Sequence, residues 1–217
     1  MIKTVSFLLA FLAIVVFADP EAPRWPTKFT EEFTETFTYP VFGKFHTKGT
    51  FYYDAGSNRY RVEREDGRAD RYCGLNGLKF LSKQPCDHYV DEHGDRYLHY
   101  PKKNECCFCC AAEHGCGILR SDWQSGATFD GEVEYNGFQA YKWDKKGLQS
   151  NLYIETISDN PLNRVMLNMD QQPNDNQIFD PLTWSLQFEE SILDLPDTCD
   201  RSKTCSLASV CTAVRHS

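Results

Sequence analysis

Ten cysteines follow a single apolar run at the N-terminus, and these two features together limit the chemistry open to the rest of the chain. Lys3 is the only charge before the run over residues 7–17, and Val16-Phe17-Ala18 puts Val and Ala at the −3 and −1 positions of a cleavage site. This is the pattern of a secretory signal peptide over residues 1–18. The mature chain is expected to begin at Asp19 and to form one β-rich domain over residues 19–217. It would fold in an oxidising secretory lumen or outside the cell. Cys73, Cys86, Cys106, Cys107, Cys109, Cys110, Cys116, Cys199, Cys205 and Cys211 are therefore expected as disulfides before they are read as nucleophiles or metal ligands.

The formal net charge of −8 argues against a nucleic-acid partner, and against binding an anionic membrane by charge alone. After the signal run no stretch reaches the ~20 apolar residues of a transmembrane helix. Residues 207–217 are too polar for a lipid-anchor signal. No Asn-x-Ser/Thr acceptor occurs, so asparagine-linked glycans are not expected to solubilise the surface.

Short alternating segments dominate the mature chain. Over residues 29–39, Phe33, Phe37 and Tyr39 fall on one parity, and Thr30, Thr34, Thr36 and Thr38 on the other, which predicts a strand. Thr50-Phe51-Tyr52-Tyr53, the turn residues Asp54-Ala55-Gly56-Ser57-Asn58 and the alternation over residues 59–65 predict a hairpin with one wet face. Asn76-Gly77 predicts a second tight turn of type I′, with both central residues at positive φ, and Asn136-Gly137 a third turn, within a hairpin over residues 129–143. Around that third turn, a two-residue loop pairs Tyr135 with Phe138 and Val133 with Ala140. Phe129, Gly131, Val133 and Tyr135 share one predicted face. Further strands are expected over residues 152–157, 165–169 and 184–188, with a loop over residues 171–177. A helical tail is expected over residues 202–215, capped by Ser202 or Thr204. Strands do not alternate with long helical patterns, so the expected sheet is antiparallel.

Five cysteines crowd into residues 106–116. Adjacent cysteines seldom bond to each other, because the disulfide dihedral strains so small a ring. The cluster should therefore reach outward, as a hub tying strands and the C-terminal tail to one point. A zinc site is the competing reading, with His114 as an added ligand. The two C-x-x-C spacings, Cys106/Cys109 and Cys107/Cys110, interleave and do not serve one ion easily, so no metal is assigned. Asp87-His88, Asp91-Glu92-His93 and Asp95 form a polar patch without the ligand alternation of a calcium loop, and read as a solvated hairpin tip. The chain has no G-x-S-x-G, no H-E-x-x-H and no phosphate loop. A cysteine nucleophile beside His99 or His114 would be consumed as a disulfide. No catalytic residue and no cofactor are assigned.

The aromatic load, 15 Phe, 11 Tyr and 4 Trp, is ordinarily core. The alternative is a concave sheet face left partly open to a hydrophobic ligand. Strand periodicity selects Phe51, Tyr53, Phe129, Val133, Tyr135 and Phe138 as its candidate lining.

Three segments carry a family pattern. They are Gly49-Thr50-Phe51-Tyr52-Tyr53-Asp54 with Asn58-Arg59-Tyr60-Arg61, then Gly137-Phe138-Gln139-Ala140-Tyr141-Lys142-Trp143 with Tyr153-Ile154-Glu155-Thr156 and Asn160-Pro161, and lastly Phe179-Asp180-Pro181 with Leu195-Pro196-Asp197-Thr198-Cys199. Over about residues 45–199 the chain resembles secreted ependymin-related proteins and their relatives on the bacterial lipoprotein-carrier fold. The Cys106–Cys116 cluster and the Cys205/Cys211 tail depart from that pattern. The resemblance implies a strongly curved antiparallel sheet, a half-barrel around a hydrophobic cavity, with extracellular placement and lipid-like ligands. The expected function is non-enzymatic binding of a hydrophobic small molecule or lipid. An extracellular structural or adhesion protein rigidified by its cysteine hub is the alternative.

Overall fold

The computed structural model describes residues 19–147 and 150–216. The expected signal peptide lies outside the described residues. Among them no helix is long and apolar enough to cross a membrane.

Eleven strands form one antiparallel sheet. β1 (Lys28–Tyr39), β2 (Gly43–Asp54), β3 (Arg59–Arg64), β4 (Cys86–Val90), β5 (Arg96–Tyr100) and β6 (Glu105–Cys110) meander outward from the centre. The chain then crosses the sheet and meanders back through β7 (Thr128–Tyr135), β8 (Phe138–Lys145), β9 (Asn151–Thr156), β10 (Met166–Gln171) and β11 (Asp175–Phe179). β11 closes against β1, giving the order 6-5-4-3-2-1-11-10-9-8-7. Neighbours in sequence are neighbours in space except β6 and β7, which lie at opposite edges, so the connections are short apart from the crossing segment between those two and the β3–β4 connection over residues 65–85.

The sheet curls tightly. Met169 on β10 and Arg96 on β5 line the same small cavity. They are six strands apart in the order, about 29 Å in a flat sheet at 4.8 Å per strand. The inner face is packed with aromatic side chains: Phe29, Phe33, Phe51, Tyr53, Tyr60, Trp143, Tyr153 and Phe179. Trp25 and the crossing segment over residues 111–127 plug its centre. The Trp25 amide donates to the Ser121 carbonyl at 2.8 Å, its indole donates to the Tyr153 hydroxyl at 2.9 Å, and the Tyr53 hydroxyl donates to the Leu119 carbonyl at 2.7 Å.

The C-terminal segment covers the outer face and ends at the β6 edge. Ser185 bridges Thr30, and Phe188 packs on Tyr52. Arg61 donates to the Ile192 carbonyl, and Leu195 and Cys199 pack against Tyr89, Tyr97 and Phe108. Three disulfides then fasten it: Cys106–Cys199, Cys107–Cys205 and Cys109–Cys211. The Cys205 amide donates to the Phe108 carbonyl at 2.9 Å, so the tail also caps the open edge. Cys73–Cys86 and Cys110–Cys116 complete the set, and no adjacent pair is bonded. The opposite edge, β7, carries Asp130, Glu132, Glu134 and a bulge, all of which discourage pairing with another chain.

Several expectations are corrected. Residues 184–188 contribute only the Ser185 bridge and no strand. Residues 171–177 are a tight turn and most of β11, whose polar side chains point inward. The turn at Asn76-Gly77 follows α1 (Arg71–Gly74), but positive φ falls on Gly77 and Leu78 and not on Asn76. The tail helix is only α2 (Val210–Arg215), capped by Ser209, because residues 200–203 form a turn and Thr204 bridges Phe108 of β6 between the Cys199 and Cys205 disulfides. In β7 the predicted face breaks at Gly131, which sits at φ 97° as the extra residue of a bulge. Phe129 pairs with Trp143 on the inner face, whereas Val133 pairs with Ala140 and Tyr135 with Phe138 on the outer one.

The three tail bridges are not independent. Alone, each would close a loop of 93 to 102 residues and contribute about 4.7 kcal/mol through the entropy of the unfolded chain. With Cys106–Cys199 in place, Cys107–Cys205 closes roughly seven residues, worth about 2.4 kcal/mol on the same relation. The double variant Cys107→Ala/Cys205→Ala should therefore lose about 2 kcal/mol in urea unfolding; a loss near 5 kcal/mol would mean that its neighbours do not hold the tail.

Candidate functional site

Within each inner strand, charged residues occupy positions whose parity is otherwise apolar. Glu35 shares parity with Phe33 and Phe37, Arg64 with Val62, His88 with Val90, and Arg96 with Leu98. β11 adds Asp175 and Gln177 opposite Phe37 and Glu35. The curl gathers these side chains into one buried polar cluster.

Its centre is a bidentate ion pair. Arg64 Nε donates to Glu35 Oε2 at 2.5 Å and Nη2 to Oε1 at 3.0 Å, with both side chains buried. Gln177 Nε2 donates to Glu35 Oε1 at 2.8 Å. Asp70, the N-cap of α1, accepts from the Cys73 amide at 2.8 Å and lies 3.0 Å from His88 Nε2 and 3.7 Å from Arg64. Burial alone would raise the Asp70 carboxyl. The His88 imidazole, the Arg64 guanidinium and the Cys73 amide overcome burial and hold it well below the usual carboxylate range. Asp175 behaves in the opposite way. Burial and the adjacent Glu35 carboxylate push it up to about 9, so it is protonated at neutral pH.

A cavity of about 250 Å³ opens beside this cluster. Phe51, Tyr60, Val62, Leu119 and Met169 form its apolar wall. Arg64, Asp70, His88, Arg96 and Asp175 form the polar wall. Arg96 stands over the rings of Tyr60 and Tyr72, and its Nε donates to the Cys116 carbonyl at 3.2 Å. Two atoms of this wall are buried and lack any hydrogen-bond partner: Arg64 Nη1 and Asp175 Oδ1. Leaving a donor on a buried guanidinium unmade costs about 1–3 kcal/mol or more, so such atoms mark a place built for a ligand group or ordered water. A larger groove of about 340 Å³ on the outer face, lined by Phe138, Leu167 and Ile178, has no such atom.

The six candidate lining residues are thus divided. Phe51 lines the inner cavity. Tyr53 is fully buried in the adjoining aromatic core, and Phe129 packs at its rim. Val133 and Tyr135 lie on the other face, turned there by the Gly131 bulge, and Phe138 faces the same way on β8, opposite Tyr135. Asp87 and His88, read as part of a solvated tip, are buried in β4; only Asp91–Asp95 form the turn, where the Asp91 carboxylate accepts from the Asp95 amide.

Asp70, Cys73 and His88 place ligand atoms within 4.8 Å of one another. The Cys73 sulfur is bonded to Cys86, so it serves neither as metal ligand nor as nucleophile. All ten cysteines are paired within the chain, which leaves none for an interchain bridge.

No protein-family model and no curated protein matches this chain. Similar solved structures include an uncharacterized conserved protein from Thermus thermophilus, with TM-score 0.48 and 11% identity over 81% of this chain and 90% of that one. A LolA superfamily protein from Nitrosomonas europaea gives TM-score 0.37 and 10% identity over 80% and 93%. A putative outer membrane lipoprotein-sorting protein domain from Vibrio parahaemolyticus gives 0.39 and 8% over 77% and 89%.

Two more buried carboxyls lie on the inner face. Glu155 accepts from Arg164 at 2.9 Å and from the Trp143 indole at 3.1 Å; burial outweighs these partners and pushes it up to about 7. Glu31 has no partner at either oxygen, and burial, with Asp180 nearby, pushes it up to about 10. Between the ordinary value of 4.5 and about 10 the folded chain keeps a proton on Glu31 that the unfolded chain has lost. Stability must therefore fall as pH rises through that window, by at most about 1.4 kcal/mol per pH unit from this group. Urea titrations of Glu31→Gln should show a flatter dependence over the same window. Parallel curves for the two proteins would mean that Glu31 is solvated.

Proposed function

We propose that this protein is a secreted, non-enzymatic binding protein that holds a small amphipathic ligand in the inner cavity. The ligand's apolar body would lie against Phe51, Tyr60, Val62 and Met169, and a carboxylate-like head would meet Arg64, Arg96 and Asp175. The observation that carries this reading is the pair of unpartnered buried atoms, Arg64 Nη1 and Asp175 Oδ1, on two residues that line one cavity together with an apolar wall. Burial and the neighbouring Glu35 carboxylate favour the protonated form of Asp175, so it does not repel an anionic head. The signal-peptide pattern over residues 1–18 of the sequence and five disulfides support a site of action outside the cytosol.

Size narrows the ligand. About 250 Å³ falls below the usual 300–1,000 Å³ of small-molecule pockets, so a long diacyl lipid does not fit whole. Eight buried methylenes would gain about 6 kcal/mol at about 0.8 kcal/mol each. Association costs about 4–15 kcal/mol, so the head-group contacts decide whether binding is measurable. Medium-chain monocarboxylates match both limits.

Calorimetric titration with decanoate and decanol tests the reading. Decanoate should bind, and decanol should bind at least about tenfold more weakly, because a charge-assisted contact is worth about 1.5–3 kcal/mol. Val62→Trp, which fills the apolar wall, should abolish binding. Failure of both probes would overturn the proposal, and equal binding of both would remove the anionic head from it.

A further inference from the structure

The chain is acidic as a whole, yet its charge is unevenly placed. Residues 36–49 and 71–86 contain no Asp or Glu, and they hold Lys44, Lys48, Arg71, Lys79 and Lys83. The topology brings these two segments to one end of the sheet. β2 leaves that end at Gly43, β3 returns to it at Arg64, and β4 leaves it again at Cys86. The β5–β6 turn adds Lys102 and Lys103, both exposed. The Asp91–Asp95 turn sits at the opposite end, where charges are mixed: Asp95 pairs with Arg201 at 3.1 Å and Asp194 with Arg59 at 2.9 Å.

The basic end also exposes apolar side chains. Val41 and Phe42 at the β1–β2 tip are 83% and 52% exposed, and Leu78 and Leu81 in the β3–β4 connection are 60% and 72% exposed. They form one patch, because Phe42 stacks on Phe80, between Leu78 and Leu81 in sequence, at 4.4 Å. Leu207 extends it at 85% exposure, since the neighbouring Ala208 carbonyl accepts from the Gly77 amide. Leu78 is held at φ 64°, a strained conformation for a branched side chain, and it is nevertheless turned to solvent.

The platform beneath is rigid. Cys73–Cys86 ties the connection to β4, and the Tyr39 hydroxyl donates to the Asp70 carbonyl at 3.2 Å. One lysine, Lys79, is paired with Glu105 at 2.7 Å; Lys44, Lys83, Lys102 and Lys103 lie at the same end of the sheet and are exposed.

We infer that this end of the sheet docks on an anionic lipid surface, with Val41, Phe42, Leu78 and Leu81 entering the interface and the lysines meeting the head groups. Contiguous exposed apolar side chains mark interaction sites. Lysines without acids in either segment favour a uniformly negative surface over a protein, whose charges are mixed. The inference is independent of the inner cavity, since neither Phe42, Leu78, Leu81 nor these lysines line it.

Vesicle flotation of the full mature protein tests it, using phosphatidylserine–phosphatidylcholine vesicles against phosphatidylcholine alone. The protein should float with the first and not with the second, and added salt should release it. Lys44→Ala/Lys83→Ala should weaken binding about 25-fold, since each lysine near such a surface is worth about fivefold. Leu78→Gly removes an apolar anchor and relieves the strained φ, so it should bind more weakly while unfolding no earlier than the parent. Equal binding to both vesicles, binding to neither, or binding unchanged in these variants would overturn the inference. So would sedimentation showing a dimer that Leu78→Gly dissociates in the absence of vesicles.

Discussion

Pairing of β1 with β11 is what turns two meanders into one curled sheet. Phe33 sits opposite Phe179 and Glu35 opposite Gln177, so one register sets both the aromatic core and the polar cluster. A slip of one residue would send every inward side chain of β11 outward. Gln177 would leave Glu35, and Asp175 would leave the cavity. The Arg64–Glu35 pair, buried on the neighbouring strands, would then lack the amide that completes it. Breaking such a pair in a low-dielectric interior is costly, which ties the fold's closure to the site's geometry.

The remaining architecture keeps that closure in place. The C-terminal segment wraps the outer face over β1 to β6 and is fastened at the sheet edge by three bridges. The crossing segment over residues 111–127 plugs the inner face with Trp123 while leaving the Phe51–Met169 side open. Cysteine crowding in β6 follows from this plan. Period-two geometry sends Cys106 to one face and Cys107 and Cys109 to the other, so one strand can receive a segment that passes around its edge.

Much of this is legible in the residues and some is not. The strand at residues 29–39 and the hairpins around residues 54–58 and Asn136-Gly137 follow from alternation and turn chemistry, and they are present with the expected pairing. β11 is hidden because its inward residues, Asp175 and Gln177, are polar, so alternation reads as a loop. Val133 and Tyr135 fall on the side opposite to Phe129 because a single glycine bulge inverts parity within β7, and Phe138 follows them because it pairs with Tyr135. The polar cluster does leave a trace: Glu35, Arg64 and His88 sit at positions where neighbours two residues away are apolar. That trace becomes a site only when strands distant in sequence are brought together, which local patterning cannot do.

The most direct measurement is a crystal structure of the mature protein soaked with decanoate. The account predicts a carboxylate within hydrogen-bond distance of Arg64 Nη1 and Asp175 Oδ1, with the chain running toward Val62 and Met169. A cavity holding only ordered water that satisfies both atoms would contradict it.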